Sequence, residues 1–232
     1  MNPLYSQSYK ATMLIGQGMR DMRVLYRFFS TEAYADRFVN GYIWISTLEA
    51  CRNAENAAAR DEGEGSLLRH VEYADGDDPQ FMQMLAQTGL VQIKNAEKAP
   101  GVRMTECFFN VSPGRNGYVL CLTERCDEVL REKFGGFCVK VNDPFGFFQT
   151  VTPRIGQVVP ITVAEIGRIS YLGRKLRNYE GTETPIEFIK PHTFAPEKEV
   201  RMYWAPRPEH TRQIQHFELP CPEAARFCER IC

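Results

Sequence analysis

Two glutamates separated by one residue, Glu197 and Glu199, stand at the entrance to the apolar run Val200-Arg201-Met202-Tyr203-Trp204. Side chains at i and i+2 of a strand point to the same side. The spacing therefore predicts two carboxylates projecting together. Charged side chains are rarely fully buried unless paired, so such a pair can hold a cationic or polyhydroxyl ligand and set one carboxylate against a reacting bond. Three other places carry reactive types. Arg27 lies between aromatics in Leu25-Tyr26-Arg27-Phe28. A guanidinium on a buried strand needs an anion or acceptors; it can hold a phosphate or ribose, or pair with Glu49 or an acidic loop residue. Ser46 and Thr47 end another apolar run. Their hydroxyls can cap the next helix or orient a ribose or a carboxylate. Asp61, Glu62 and Glu64 alternate with Gly63 and Gly65. They read as a solvated acidic loop or as oxygen ligands for a divalent metal, though not in the spacing of a twelve-residue calcium loop.

The elements that must position these groups follow from periodicity and punctuation. Strands are expected at 24–29, 42–46, 67–73, 90–94, 102–109, 118–123, 137–141, 157–163, 168–172 and 200–204. The strand at 42–46 is expected to be buried. Helices are expected at 31–39 (capped by Ser30, closed by Gly41), 79–88 and 124–134, and over 221–232 at the C-terminus. The last would set Cys221, Cys228 and Cys232 on one helix face. Strands and short helices mix without regular βαβ alternation. The expected fold is α+β, with split, mainly antiparallel sheets and short flanking helices. No linker is visible, so 1–232 reads as one domain with an N-terminal extension over 1–22.

Bulk properties narrow the function classes. The 232 residues are 44% hydrophobic and carry a formal net charge of -1, which gives no global basic field for nucleic acid. No apolar run approaches the ~20 residues that span a bilayer. The N-terminus lacks the charged and apolar regions of a signal peptide. A cytoplasmic protein without a membrane partner is expected. None of the eight cysteines forms a CxxC pair, and no metal is expected.

Taken in order, Tyr26-Arg27-Phe28, Tyr42 to Leu48, Arg60 to Gly65, Leu120-Cys121-Leu122-Thr123-Glu124, Gly136-Phe137-Cys138-Val139 and Glu197-Lys198-Glu199-Val200-Arg201 resemble a broad, little-characterised bacterial family. Its motifs read LYRY, IYFSS, DPFE, CFSE, GFCI and EKEWR. The resemblance covers most of residues 24–204. That family is in turn similar to the mono-ADP-ribosyltransferase fold, whose pattern is an Arg or His on the first core strand, a hydroxyl motif or Tyr on a later one, and a catalytic Glu, often as Glu-x-Glu. The resemblance implies that NAD is the substrate and that ADP-ribose passes to a macromolecular acceptor, protein or nucleic acid, as in a toxin or phage-defence factor. It assigns Glu199 to the reacting ribose and Glu197 to the acceptor. Arg27 would take the pyrophosphate or adenosine ribose, and Ser46 and Thr47 would position Glu199 or the nicotinamide ribose. Ser46-Thr47 departs from the pattern by lying early and lacking a third hydroxyl; Tyr42 is the alternative. Tyr26 is either a stacking surface or a core residue. Two other classes stand beside this one. A metal-dependent nuclease would use Asp61, Glu62 and Glu64 with Glu197 or Glu199. A non-catalytic adaptor would pair its glutamates with Arg201, Arg207 or Lys198.

Overall fold

Apolar and charged side chains alternate at the start of the strand Glu199–Pro206, its neighbour Tyr118–Thr123 is a continuous apolar run, and the sheet is built around them. The computed structural model describes residues 11–53, 60–88, 101, 103–111, 116–178 and 180–231. In chain order the elements are β1 (Thr12–Ile15), β2 (Leu25–Phe29), α1 (Glu32–Val39), β3 (Tyr42–Thr47), α2 (Leu48–Arg52), β4 (Leu67–Asp75), α3 (Pro79–Thr88), β5 (Arg103–Val111), β6 (Tyr118–Thr123) and α4 (Glu128–Phe134). They continue with β7 (Phe137–Val141), α5 (Pro144–Val158), β8 (Ile161–Arg168), β9 (Ser170–Tyr171), β10 (Lys175–Arg177), β11 (Ile189–Lys190), β12 (Glu199–Pro206), β13 (Phe217–Pro220) and β14 (Cys228–Arg230). This is an α+β protein with mixed, mostly antiparallel sheets and short helices.

The chain divides into two compact units. One comprises 1–62, 115–169 and 195–232; the other comprises 63–114 and 170–194. Because the second enters as two insertions, no shift in composition marks the passage between them.

In the first unit, nine strands among the described residues form one sheet, in the order β1-β8-β12-β6-β2-β7-β14, with β3 paired to β6 and to β13. Val200, Met202 and Trp204 of β12 lie opposite Leu122, Leu120 and Tyr118 of β6, and all six join the main core. The alternate residues Glu199, Arg201 and Tyr203 lie opposite Thr123, Cys121 and Val119. Period-two alternation therefore separates an apolar side from a side that carries charge.

Helix α5 covers the core and was not expected. Asp143 caps it by accepting from the Gly146 amide at 2.9 Å, and Pro144 occupies its first turn, where a missing N–H costs nothing. Phe147, Phe148, Val151 and Ile155 fall on one buried face. Trp204 donates its indole N–H to Thr152 Oγ1 at 2.9 Å. The expected strand over 157–163 is thus replaced by the end of α5 and the start of β8. Burial of that face holds the helix although Pro153 lies inside it.

Four expectations about chain ends and helix starts are corrected. Residues 12–15 are not mere extension: β1 adds to the sheet edge in parallel with β8. The C-terminal helix over 221–232 is absent. A 3-10 turn at Pro222–Phe227 leads into β14, which pairs with the free edge of β7. A helix that short is marginal by itself, and the unpaired strand edge offers backbone partners instead. Cys228 is therefore on a strand, and Cys232 lies outside the described residues. The helix expected from 124 begins only at Glu128, because Asp127 accepts from the Leu130 amide at 3.1 Å and sets the start. The cap of α1 is likewise Thr31, not Ser30. Gly41 joins α1 to β3 at φ 81, and a Cβ there would lie 2.4 Å from the Cys221 carbonyl oxygen. The glycine thus sets both the turn and the close approach of the C-terminal segment.

In the second unit, β4 pairs antiparallel with β5 and parallel with β10, and Val71, Ala74, Phe81, Met82 and Phe109 form its core. The strand expected at 90–94 lies outside the described residues. The strand expected at 168–172 is split between the end of β8 and β9.

Candidate functional site

The sheet of the first unit opens at β6. That strand meets β2 only at Tyr26↔Thr123, and meets β3 at its other end, at Ser46↔Val119 and Thr47↔Tyr118. Between these contacts, Arg27 reaches across and donates from Nη1 to the Cys121 carbonyl at 3.0 Å. Burial pushes the Arg27 guanidinium below its ordinary pKa, while the Cys121 and Cys51 thiols nearby act in the opposite direction. The Cys121 thiol is held well above the ordinary thiol value by its hydrogen bond with Cys51, then by burial and by the Glu199 charge, with Arg201 opposing. Ser46 Oγ lies 4.0 Å from Cys51 Sγ. A chain of pairwise contacts thus runs from Ser46 through Cys51 and Cys121 to Glu199, with Arg27 touching it at Cys121; of the three groups singled out from sequence, Arg27 alone lines the adjoining cavity.

The paired glutamates do not project together. Glu197 ends a 3-10 turn at His192–Glu197, and Lys198 takes a positive φ of 45° before β12 begins at Glu199. The i, i+2 rule requires an extended residue between the two, and Lys198 is not extended. Each carboxylate has its own partner. Glu197 Oε1 accepts from Lys133 Nζ at 2.7 Å, and its backbone carbonyl accepts from Thr123 Oγ1 at 2.7 Å. Glu199 Oε1 lies 2.9 Å from Arg201 Nε and 2.8 Å from Arg201 Nη2. The same-side rule holds one step further along, for Glu199 and Arg201. Both glutamates are 5% exposed and Arg201 is fully buried.

A cavity of about 570 Å³ lies against the outer part of the opening, walled by β2, α1, β3, α4 and β13. Arg27 lines it with Phe29, Phe38, Tyr42 and Trp44. Its volume is that of an ordinary ligand site. The expectation that 42–46 is buried holds for one side only: Ile43 and Ile45 enter the core, while Tyr42 and Trp44 are 42% and 47% exposed. Tyr26 points elsewhere, packing on Phe28, Leu130 and Cys138. Thr47 is a helix cap, accepting from the Ala50 amide at 3.0 Å.

Sequence reading missed Arg37 and Glu218 at this cavity. Arg37 Nε donates to Glu218 Oε1 at 2.6 Å, its Nη2 donates to Oε2, and its guanidinium lies 4.8 Å from the Tyr42 ring centre. The hydrogen bonds from Arg37 hold the Glu218 carboxyl below its ordinary pKa. These residues are 181 positions apart, and no local signal links them.

The acidic loop is solvated only in part, with Glu62 exposed. Asp61 and Glu64 are buried, and Glu64 lies 3.9 Å from Lys190 Nζ. Among the described residues, no three His, Cys, Asp or Glu side chains converge as a metal ion requires.

The described cysteines form no disulfide and differ in access. Burial pushes the Cys228 thiol to about 12, which leaves about a thousandfold less thiolate at pH 8 than the ordinary value. Cys126 is exposed and Cys138 is fully buried, 3.9 Å away. Iodoacetamide treatment of the native protein at pH 8, read by peptide mass spectrometry, is expected to modify Cys126 first. Cys138 and Cys228 should react only after unfolding. Equal rates at Cys126 and Cys228 would contradict this burial pattern.

Among the described residues, no helix is long and apolar enough to cross a membrane. Comparison of the chain with family models, with curated proteins and with solved structures finds no match in any of the three.

Proposed function

We propose that this protein binds NAD and transfers its ADP-ribose group to a macromolecular acceptor. One observation carries the reading: Arg27 lines a ligand-sized aromatic cavity and also bonds the Cys121 carbonyl, and the Cys121 side chain couples to Glu199 and, through Cys51, to Ser46. Aromatic walls suit the planar bases of a dinucleotide, and a guanidinium suits its diphosphate. In the reaction, the bond between the ribose C1′ and the nicotinamide nitrogen breaks. Nicotinamide leaves with the bonding electrons, and the acceptor forms the new bond at C1′ as it loses a proton. The ribose passes through an oxocarbenium-like state. Glu199 stabilises that positive charge and accepts from a ribose hydroxyl. Glu197, fastened by Lys133 and Thr123, holds the turn that presents Glu199.

A second reading, a non-catalytic NAD-binding adaptor, is favoured by the ion pair Glu199 makes with Arg201 and by the low exposure of both glutamates. The test is thermal unfolding with millimolar NAD, with nicotinamide release measured in the presence of cell extract. Ligand bound only by the folded state raises apparent stability. The expected result is a raised melting temperature together with nicotinamide release. Stabilisation without release selects the adaptor. Neither effect overturns both readings.

A further inference from the structure

The outer end of the cavity carries a second arrangement. β13 pairs with β3 so that Glu218 lies directly opposite Trp44, and residues directly opposite on a sheet share a side. Trp44 is 47% exposed and packs against His216 with ring centres 4.8 Å apart. Arg37 spends both faces of its fork on the two oxygens of Glu218. Two of its five N–H donors are thereby spent on the carboxylate, while each carboxylate oxygen keeps lone-pair capacity for a further donor. The side chains of the pair are 50% and 32% exposed. Ion pairs at such exposure contribute little to folding, so stability does not account for this geometry. What the pair does accomplish is to aim a fixed, ionised acceptor into a cavity with aromatic walls.

We propose that the Trp44–Glu218–Arg37 end of the cavity is a subsite for an unmodified ribonucleoside. The base lies on the exposed Trp44 ring, and Glu218, oriented by Arg37, accepts from the vicinal ribose hydroxyls. Resting on the NAD reading, this makes Glu218 the specificity-determining residue for the adenosine end, with the diphosphate at Arg27 and the nicotinamide end toward Glu199. A free diol supplies two donors to the carboxylate. A 2′-phosphate sets anion against anion, and a 2′-deoxyribose removes a donor.

Titration calorimetry on the full chain tests this with NAD, NADP, AMP and 2′-deoxy-AMP, on the wild type and on Glu218→Gln. The wild type is expected to bind NAD over NADP, and AMP over 2′-deoxy-AMP, by about tenfold or more, the scale of one hydrogen bond to a charged group. Glu218→Gln keeps the side-chain shape and should bring both ratios to within about threefold of unity. Equal binding within each wild-type pair, unchanged ratios in Glu218→Gln, or no binding of any of the four overturns the subsite. NAD turnover without discrimination overturns the subsite and leaves the transferase standing. Ribose-dependent binding of AMP without NAD binding or turnover supports the subsite and removes the transferase.

Discussion

Replacing Arg201 by methionine is expected to cost about 3–5 kcal/mol of folding stability. Arg201 is fully buried, and its Nε and Nη2 approach one oxygen of a carboxylate that is itself 5% exposed. Methionine retains most of the apolar stem and removes the positive charge. Glu199 is then left buried beside the Cys121 thiol, with its main counter-charge gone. A buried charge stripped of its partner loses far more than the intact pair contributes, because desolvation of both ions nearly offsets their attraction. The double variant Glu199→Leu/Arg201→Met is therefore expected to recover most of the loss. Urea unfolding at constant pH checks both, and the single variant should also melt about 6–20 °C lower. A loss below about 1 kcal/mol would show that water reaches Glu199 once the guanidinium is removed.

Glu199→Gln is expected to lower nicotinamide release by about a hundredfold or more, the usual loss when a group aimed at developing charge is neutralised. Glutamine preserves the volume and can still accept from Arg201. It cannot stabilise a positively charged ribose to the same degree. Neutralising Glu199 also removes the counter-charge of a buried guanidinium, so some loss of stability accompanies it. The comparison is therefore made below the melting onset of the variant, with equal NAD-induced stabilisation as evidence of an intact site. Release at the wild-type rate under those conditions would confine Glu199 to holding Arg201 in place. The same experiment on Glu197→Gln gives a contrast. Glu197 is tied to Lys133 and Thr123, so its effect should fall on stability rather than on the rate measured with folded protein.

Much of the sheet could be read along the chain. β2, β3, β6, β7 and β12 each announce themselves as short apolar and aromatic runs between turn signals, and their ends agree with expectation within a few residues. Arg27 and Tyr42, picked out as single residues, both line the cavity. The misses have a common cause. α5 carries a proline inside, and only its fit under Trp204 and its burial against the core keep it helical. β1 and β14 are four and three residues long and become strands because an edge of β8 and an edge of β7 stand open to them. Neither edge can be inferred from the short segments themselves.

Local sequence by itself determined where charge and hydroxyls enter an apolar frame: Arg27 on β2, Ser46 and Thr47 at the end of β3, Glu199 at the head of β12. Backbone geometry that alternates with period two, and caps that act within four residues, are short-range, so spacing encodes them. Only the tertiary structure decided which charges meet. The left-handed Lys198 turned Glu197 away to Lys133, and strand register set Cys121 beside Arg201 and Glu218 beside Trp44. Register and crossing are settled by burial of whole strand faces at once, and no pair of residues far apart in the chain carries that information alone.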